Sequence, residues 1–160
     1  MSTMNLKIIL LLIFIWPKNL SAQYEMKGTL SNNERNTVIS ELSKLSNTEI
    51  DTLKTIVINF YLSPDENPNG TCIDHYTSDW KYIKFFKKKK SKAMQFFITE
   101  KNYHYKKPFV KEDTNNVIKN LLFTDAKQCG NYIIIKPDGK FLKRLSEYRQ
   151  FDIPDIIKKM

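Results

Sequence analysis

The sequence predicts an α/β fold, a mixed four-stranded sheet with helices on both faces, and three observations carry that prediction. Two runs rich in β-branched and aromatic residues, TIVINFYL (Thr55–Leu62) and AMQFFIT (Ala93–Thr99), are apolar on both faces and so read as buried central strands. An amphipathic stretch between them makes a strand-helix-strand unit, which joins two parallel strands by a right-handed crossover. Near the end, Asp138-Gly139 stands between two strand-like runs in NYIIIKPDGKFLKRLSEY. Glycine accepts the positive φ that a tight hairpin requires, so this segment adds antiparallel strands.

Taken in order, the chain opens with Lys7, then a nine-residue apolar run, Ile8 to Trp16, then PKNLSAQ. A positive end, a short apolar stretch and small residues are the layout of a secretory signal, with cleavage expected after Ala22. A membrane-spanning helix needs about 20 apolar residues, which weighs against a permanent anchor. Removing 22 of the 160 residues leaves 138, enough for one packed core. The segment removed carries Lys7 and Lys18 and no acid, so the formal charge falls from +9 to +7. The product is expected to be exported, to the periplasm or the extracellular space, with no membrane span after cleavage.

Residues 23–49 read as an N-terminal helical extension to a domain at 50–160. Ser31 and Glu34 stand at the spacing of a reciprocal helix cap, and Val38, Leu42 and Leu45 follow at helical spacing, so residues 31–46 form an amphipathic helix. After the first strand, SPDENPNGTC holds two prolines, a glycine and two asparagines, and a long loop is expected there. Thr77 or Ser78 caps the next helix, with Asp79 in its first turn, Trp80, Ile83 and Phe86 on its apolar side, and Lys87 to Lys90 at its end. Beyond the second strand, Asp113 or Thr114 caps a short helix containing Val117, Ile118, Leu121 and Leu122. Asp152 and Pro154 open the last helix.

This order, with TIVINFYL leading through a loop into a helix and PDGK in a late hairpin, resembles the thioredoxin-like family, and in particular its secreted bacterial members. The likeness covers about residues 50–160. It implies a Cys-x-x-Cys dithiol about five residues after Phe60, where this chain reads Asp65-Glu66-Asn67-Pro68, and a cis-proline near Gly130 and Asn131, where there is none. Dithiol exchange needs a second, resolving thiol within reach, so ordinary thioredoxin chemistry does not follow.

The resemblance also implies that the helix-start loop and the loop before the third core strand lie side by side, which brings Cys72 and Cys129 together. In an oxidising compartment two such thiols form a bridge. A structural Cys72–Cys129 disulfide is the preferred reading, and a redox-active bridge between the same sulfurs is the alternative. Cys72-x-x-His75 is half of a zinc pattern, but Cys129 and His104 lack the paired spacing that would complete it, so no metal is expected. His75 and His104 read as ordinary surface or part-buried histidines. Peroxide attack by one cysteine has no support from an arginine near Cys72 in the sequence.

From Lys81 to Lys111 there are eleven lysines and one acid, Glu100, among several aromatic residues. Lys87, Lys88, Lys89, Lys90, Lys106 and Lys107 are the candidates for binding a polyanion. The run has no arginine for bidentate phosphate contacts, and nucleic acid is not expected. Asn69-Gly70-Thr71 is a glycosylation sequon. No serine-histidine-acid pattern or phosphate loop is present, and no cofactor is expected. Three functions remain: a stapled binding or accessory domain for a protein or surface partner, an atypical thiol-disulfide oxidoreductase using Cys72 and Cys129, and a basic polyanion- or surface-binding protein.

Overall fold

A computed structural model of the chain describes residues 25–66, 72–88 and 91–160. Its strands are β1 (Glu25–Thr29), β2 (Thr55–Tyr61), β3 (Ala93–Thr99), β4 (Val110–Glu112), β5 (Gly130–Ile135) and β6 (Lys140–Arg144). They form one six-stranded sheet in the order β1-β6-β5-β2-β3-β4. The helices among the described residues are α1 (Asn32–Ser46), α2 (Ile73–Ser78), α3 (Trp80–Phe86), α4 (Val117–Leu122) and α5 (Asp152–Lys159). The expected signal segment and the sequon both lie outside the described residues, as do Lys89 and Lys90.

The sheet has six strands where four were expected, and both additions are edge strands. An edge strand facing water needs no apolar run, so EMKGT and VKE carry no hydrophobic signature. β1 pairs antiparallel with β6, from Glu25 opposite Arg144 to Thr29 opposite Lys140, so the segment read as a helical extension also supplies a strand. Gly28 lies under the Phe141 ring, where a Cβ would approach Cζ to 2.8 Å. β4 pairs parallel with β3 over only Phe97 to Thr99. The parallel pair β2–β3 and the antiparallel hairpin β5–β6 are as expected, and β2 joins them by pairing antiparallel with β5.

Every residue of β2 is buried, because helices cover both faces. On one face Val38 and Leu42 of α1 and Ile118 and Leu122 of α4 pack on Ile56, Ile58, Phe60 and Ile98. On the other, Ile73 and Tyr76 of α2, Tyr82 and Ile83 of α3 and Ile153 of α5 pack on Val57, Tyr61, Phe97 and Ile134. The alternation of β2 side chains between these layers is the two-residue period of a strand.

The caps decide where the helices lie. Ser31 and Glu34 form the reciprocal pair, with Glu34 N–H donating to Ser31 Oγ at 3.2 Å and Ser31 N–H to Glu34 Oε2 at 2.7 Å. The single helix expected after the long loop is two. Asp79 has extended backbone between α2 and α3, and its Oδ1 accepts from Tyr82 N–H at 3.1 Å, so Asp79 is the cap in place of Thr77 or Ser78. That shifts the apolar side: Trp80 is 62% exposed, and Tyr82, Ile83 and Phe86 face inward. Asn116 is the first residue outside α4, yet Asp113 supplies the acceptor, its Oδ2 taking Lys119 N–H at 2.8 Å. In the late hairpin Gly139 N–H donates to Lys136 O at 2.9 Å, and Gly139, at φ +84°, is the left-handed residue.

Glu100, just past β3, is a buried acid held by Lys119 Nζ at 2.7 Å and by the Ser63 backbone N–H. Burial pushes its carboxyl up, but the Lys119 ammonium and the Ser63 bonds outweigh that and hold it below the usual glutamate range. The folded value being depressed, the stabilisation is complete above the unfolded value of about 4.3 and is lost as pH falls through the folded one. Asp113, pushed up by burial, titrates in the opposite sense, so the comparison must be with a variant. Glu100→Gln is expected to flatten the loss of stability in urea melts below about pH 4. Lys119→Met, which strands a buried carboxylate, should cost about 3 kcal/mol at neutral pH. An acid limb unchanged by Glu100→Gln would mean that the carboxylate is solvated.

Candidate functional site

The two cysteines meet at the end of the sheet where β2 stops and β5 begins. Cys72 immediately precedes α2 and Cys129 immediately precedes β5; they are bonded, with Cα atoms 5.9 Å apart across 57 positions. Leu62 N–H donates to Cys129 O at 3.2 Å, extending the β2–β5 ladder to the bridge. Cys72 N–H donates to Cys129 Sγ at 2.9 Å. Cys129 is 1% exposed and Cys72 is half-buried, so only the Cys72 side of the bridge can be reached from outside.

Beside Cys72 lies a cleft of about 470 Å³ that brings together His75, Tyr76, Arg144, Glu147, Tyr148, Arg149 and Asp152. The two arginines correct the expectation that none is near Cys72. They are 72 and 77 positions away in the sequence and arrive with the end of β6 and the loop after it. Arg149 Nε lies 4.0 Å from Asp152, and Arg144 donates to Ser146 Oγ at 3.0 Å. His75 touches Tyr76 edge-on, with ring centroids 5.5 Å apart.

Under the cleft is a layer of tyrosines that sequence reasoning missed. Tyr76 stacks on Tyr148 at 4.6 Å and closes over Gly130, where a Cβ would come within 2.8 Å of its ring. Gly130 is therefore needed for close approach, directly after the bridged Cys129. Asn59, fully buried in β2, satisfies the layer: its Nδ2 donates to Tyr148 OH at 2.6 Å, and its Oδ1 accepts from Tyr82 OH at 3.3 Å and Gln95 Nε2 at 2.9 Å. Burial pushes the Tyr61, Tyr82 and Tyr148 phenols far above their usual value, and Tyr132 up to about 12. The one signal in the sequence is Asn59 itself, a polar residue inside an apolar strand.

Chemically, neither cysteine is a free thiol, so the site holds no cysteine nucleophile. An incoming thiolate would have to attack Cys72 Sγ, expelling Cys129 Sγ as the thiolate that Cys72 N–H already faces. Cys72, once bridged, is lost to metal binding, and among the described residues no group of three or more histidines, cysteines and acids could hold a metal ion. His104 lies elsewhere, with Nδ1 2.5 Å from Glu112.

The candidate lysines do not converge. Lys106 is 3.0 Å from Asp74 and Lys107 donates to Thr77 O at 2.8 Å, both at α2. Lys87 lies over the Trp80 ring and Lys88 over Phe85, at the end of α3. No helix among the described residues is long and apolar enough to cross a membrane. The chain matches no protein-family model, no curated protein and no solved structure.

Proposed function

We propose that this is an exported, thioredoxin-like binding or accessory domain in which the Cys72–Cys129 bridge staples shut the place where that family keeps its dithiol. The observation that carries the reading is where the bridge sits: it ties the start of α2 to the start of β5, with the Cys129 sulfur buried. The central order β3-β2-β5-β6, a parallel pair followed by an antiparallel hairpin, agrees with what the resemblance implies and supports the reading. The half-exposed Cys72 beside a cleft favours one alternative, a thiol-disulfide oxidoreductase using Cys72 and Cys129.

Redox titration of the intact protein, read by mass spectrometry after thiol trapping, separates the two. A staple is expected to have a potential below about −300 mV, beyond the reach of a glutathione pool. A value at or above that of thioredoxin, about −270 mV, would sink the staple and favour the oxidoreductase.

A further inference from the structure

We infer that the open edge of β3 is a docking site for a partner protein, which supplies an extended acidic segment that pairs with β3 where β4 does not reach. This rests on the binding reading above and names the partner's chemistry. β4 covers only Phe97 to Thr99, so the preceding half of β3 has β2 on one side and no strand on the other among the described residues.

The ladder identifies the groups that face outward. Thr55 N–H bonds Lys92 O and Glu100 N–H bonds Tyr61 O, which turns the even-numbered residues of this stretch toward β2. Asp113 N–H bonds Thr99 O, which turns the odd-numbered ones toward the β4 side. In a parallel ladder successive residues alternate in this way. Ala93 is served by Ser91 Oγ, which accepts from its N–H at 3.3 Å and donates to its carbonyl at 2.9 Å. The Gln95 N–H and C=O are then aimed outward where β4 is missing.

The surface around that edge is apolar and ringed by lysine. A groove of about 450 Å³ wraps it, with Phe86, Phe97 and Phe109 on the α3 side and Met94 and Phe96 on the other. Side chains of an added strand alternate between two faces, and here each face offers an apolar wall. Lys87, Lys88 and Lys111 line the groove. A second groove, of about 670 Å³, shares Lys88, Ser91 and Ala93 with the first and adds Lys92, Lys136 and the 84%-exposed Leu53. No aspartate or glutamate lines either groove. The lysines repel a second copy of this edge and attract an acidic strand. A lipid surface or a polysaccharide would use the charge but leave the Gln95 backbone groups without strand partners.

The test is fluorescence anisotropy on the intact protein with a labelled peptide, Glu-Glu-Val-Val-Val-Glu-Glu, whose central valines lie along the open Ala93 to Phe96 stretch and meet both apolar walls, with the glutamates at its ends reaching the lysines. Binding is expected to weaken about tenfold as salt rises from about 0.05 to 0.3 M, and about tenfold in a Lys87→Glu, Lys111→Glu double variant. N-methylation of one alternate set of peptide amides should abolish binding, while methylation of the other set should leave it, because only one set faces the edge. Equal effects of the two methylations, or equal binding of a peptide with lysine for glutamate, would overturn the proposal. So would binding of heparin or phosphatidylglycerol vesicles through these lysines with none of the peptide. A bridge of high potential would sink the staple reading alone; a silent peptide with a bridge of low potential would sink this inference alone.

Discussion

Above about pH 10 the protein is expected to lose roughly 4 kcal/mol of stability per pH unit from three phenols alone, those of Tyr61, Tyr82 and Tyr148. Burial raises all three and outweighs the hydrogen bonds that oppose it, Tyr61 with the Tyr148 hydroxyl at 3.5 Å and Tyr82 with Asn59 at 3.3 Å. In the unfolded chain the same phenols ionise near 10. Between the two values the unfolded state binds fewer protons, so stability is present below pH 10 and drains away as pH rises. Tyr76 and Tyr132, also raised, steepen the fall. A domain of ordinary stability, about 5–15 kcal/mol, is therefore expected to unfold within a few pH units.

The measurement is phenolate absorbance alongside circular dichroism in an alkaline titration. The five buried tyrosines, Tyr61, Tyr76, Tyr82, Tyr132 and Tyr148, should ionise in one cooperative step that coincides with loss of the dichroism signal. Tyr61→Phe removes one phenol at small packing cost and should make the step shallower and move it to higher pH. Ionisation of all the tyrosines near pH 10 in a still-folded chain would show that water reaches the layer.

That layer also marks the limit of what the sequence discloses. β2 and β3 are legible because a strand buried on both faces must be apolar at nearly every position, and the late hairpin because Gly139 is needed at positive φ. β1 and β4 are not, since a polar edge strand of three to five residues resembles a loop until its partner is known. Asn59 in TIVINFYL looks like a flaw in a buried strand. Only register sets it opposite Tyr132, and only the chain's last loop delivers Tyr148 to its amide. The same holds at the bridge: the partner of Cys72 follows from the resemblance, whereas Arg144 and Arg149 reach the cleft through the path of β6, which local composition does not encode. The lysines illustrate the converse. Lys87 and Lys106 share one basic run in the sequence, yet the first lines the β3 edge and the second is drawn to Asp74 on α2.

Replacing both cysteines, Cys72→Ala with Cys129→Ala, is expected to cost about 4 kcal/mol, the loop entropy restored to an unfolded chain freed from a crosslink spanning 57 positions. Alanine is the right substitute, because a serine hydroxyl at the buried Cys129 position would add a desolvation cost of its own. The urea midpoint should fall by about 2 M for a domain of this size, and wild type in excess reductant should match the variant. Because alkaline ionisation erodes the same margin, the two effects combine: a loss of about 4 kcal/mol against a slope of roughly 4 kcal/mol per pH unit brings the tyrosine step forward by about one pH unit. An unshifted step together with an unshifted urea midpoint would mean that packing of Tyr76 over Gly130 holds these two loops without the bridge. The crosslink would then have no structural work to do, and a redox role for Cys72 and Cys129 would become the better account of why the sulfurs are there.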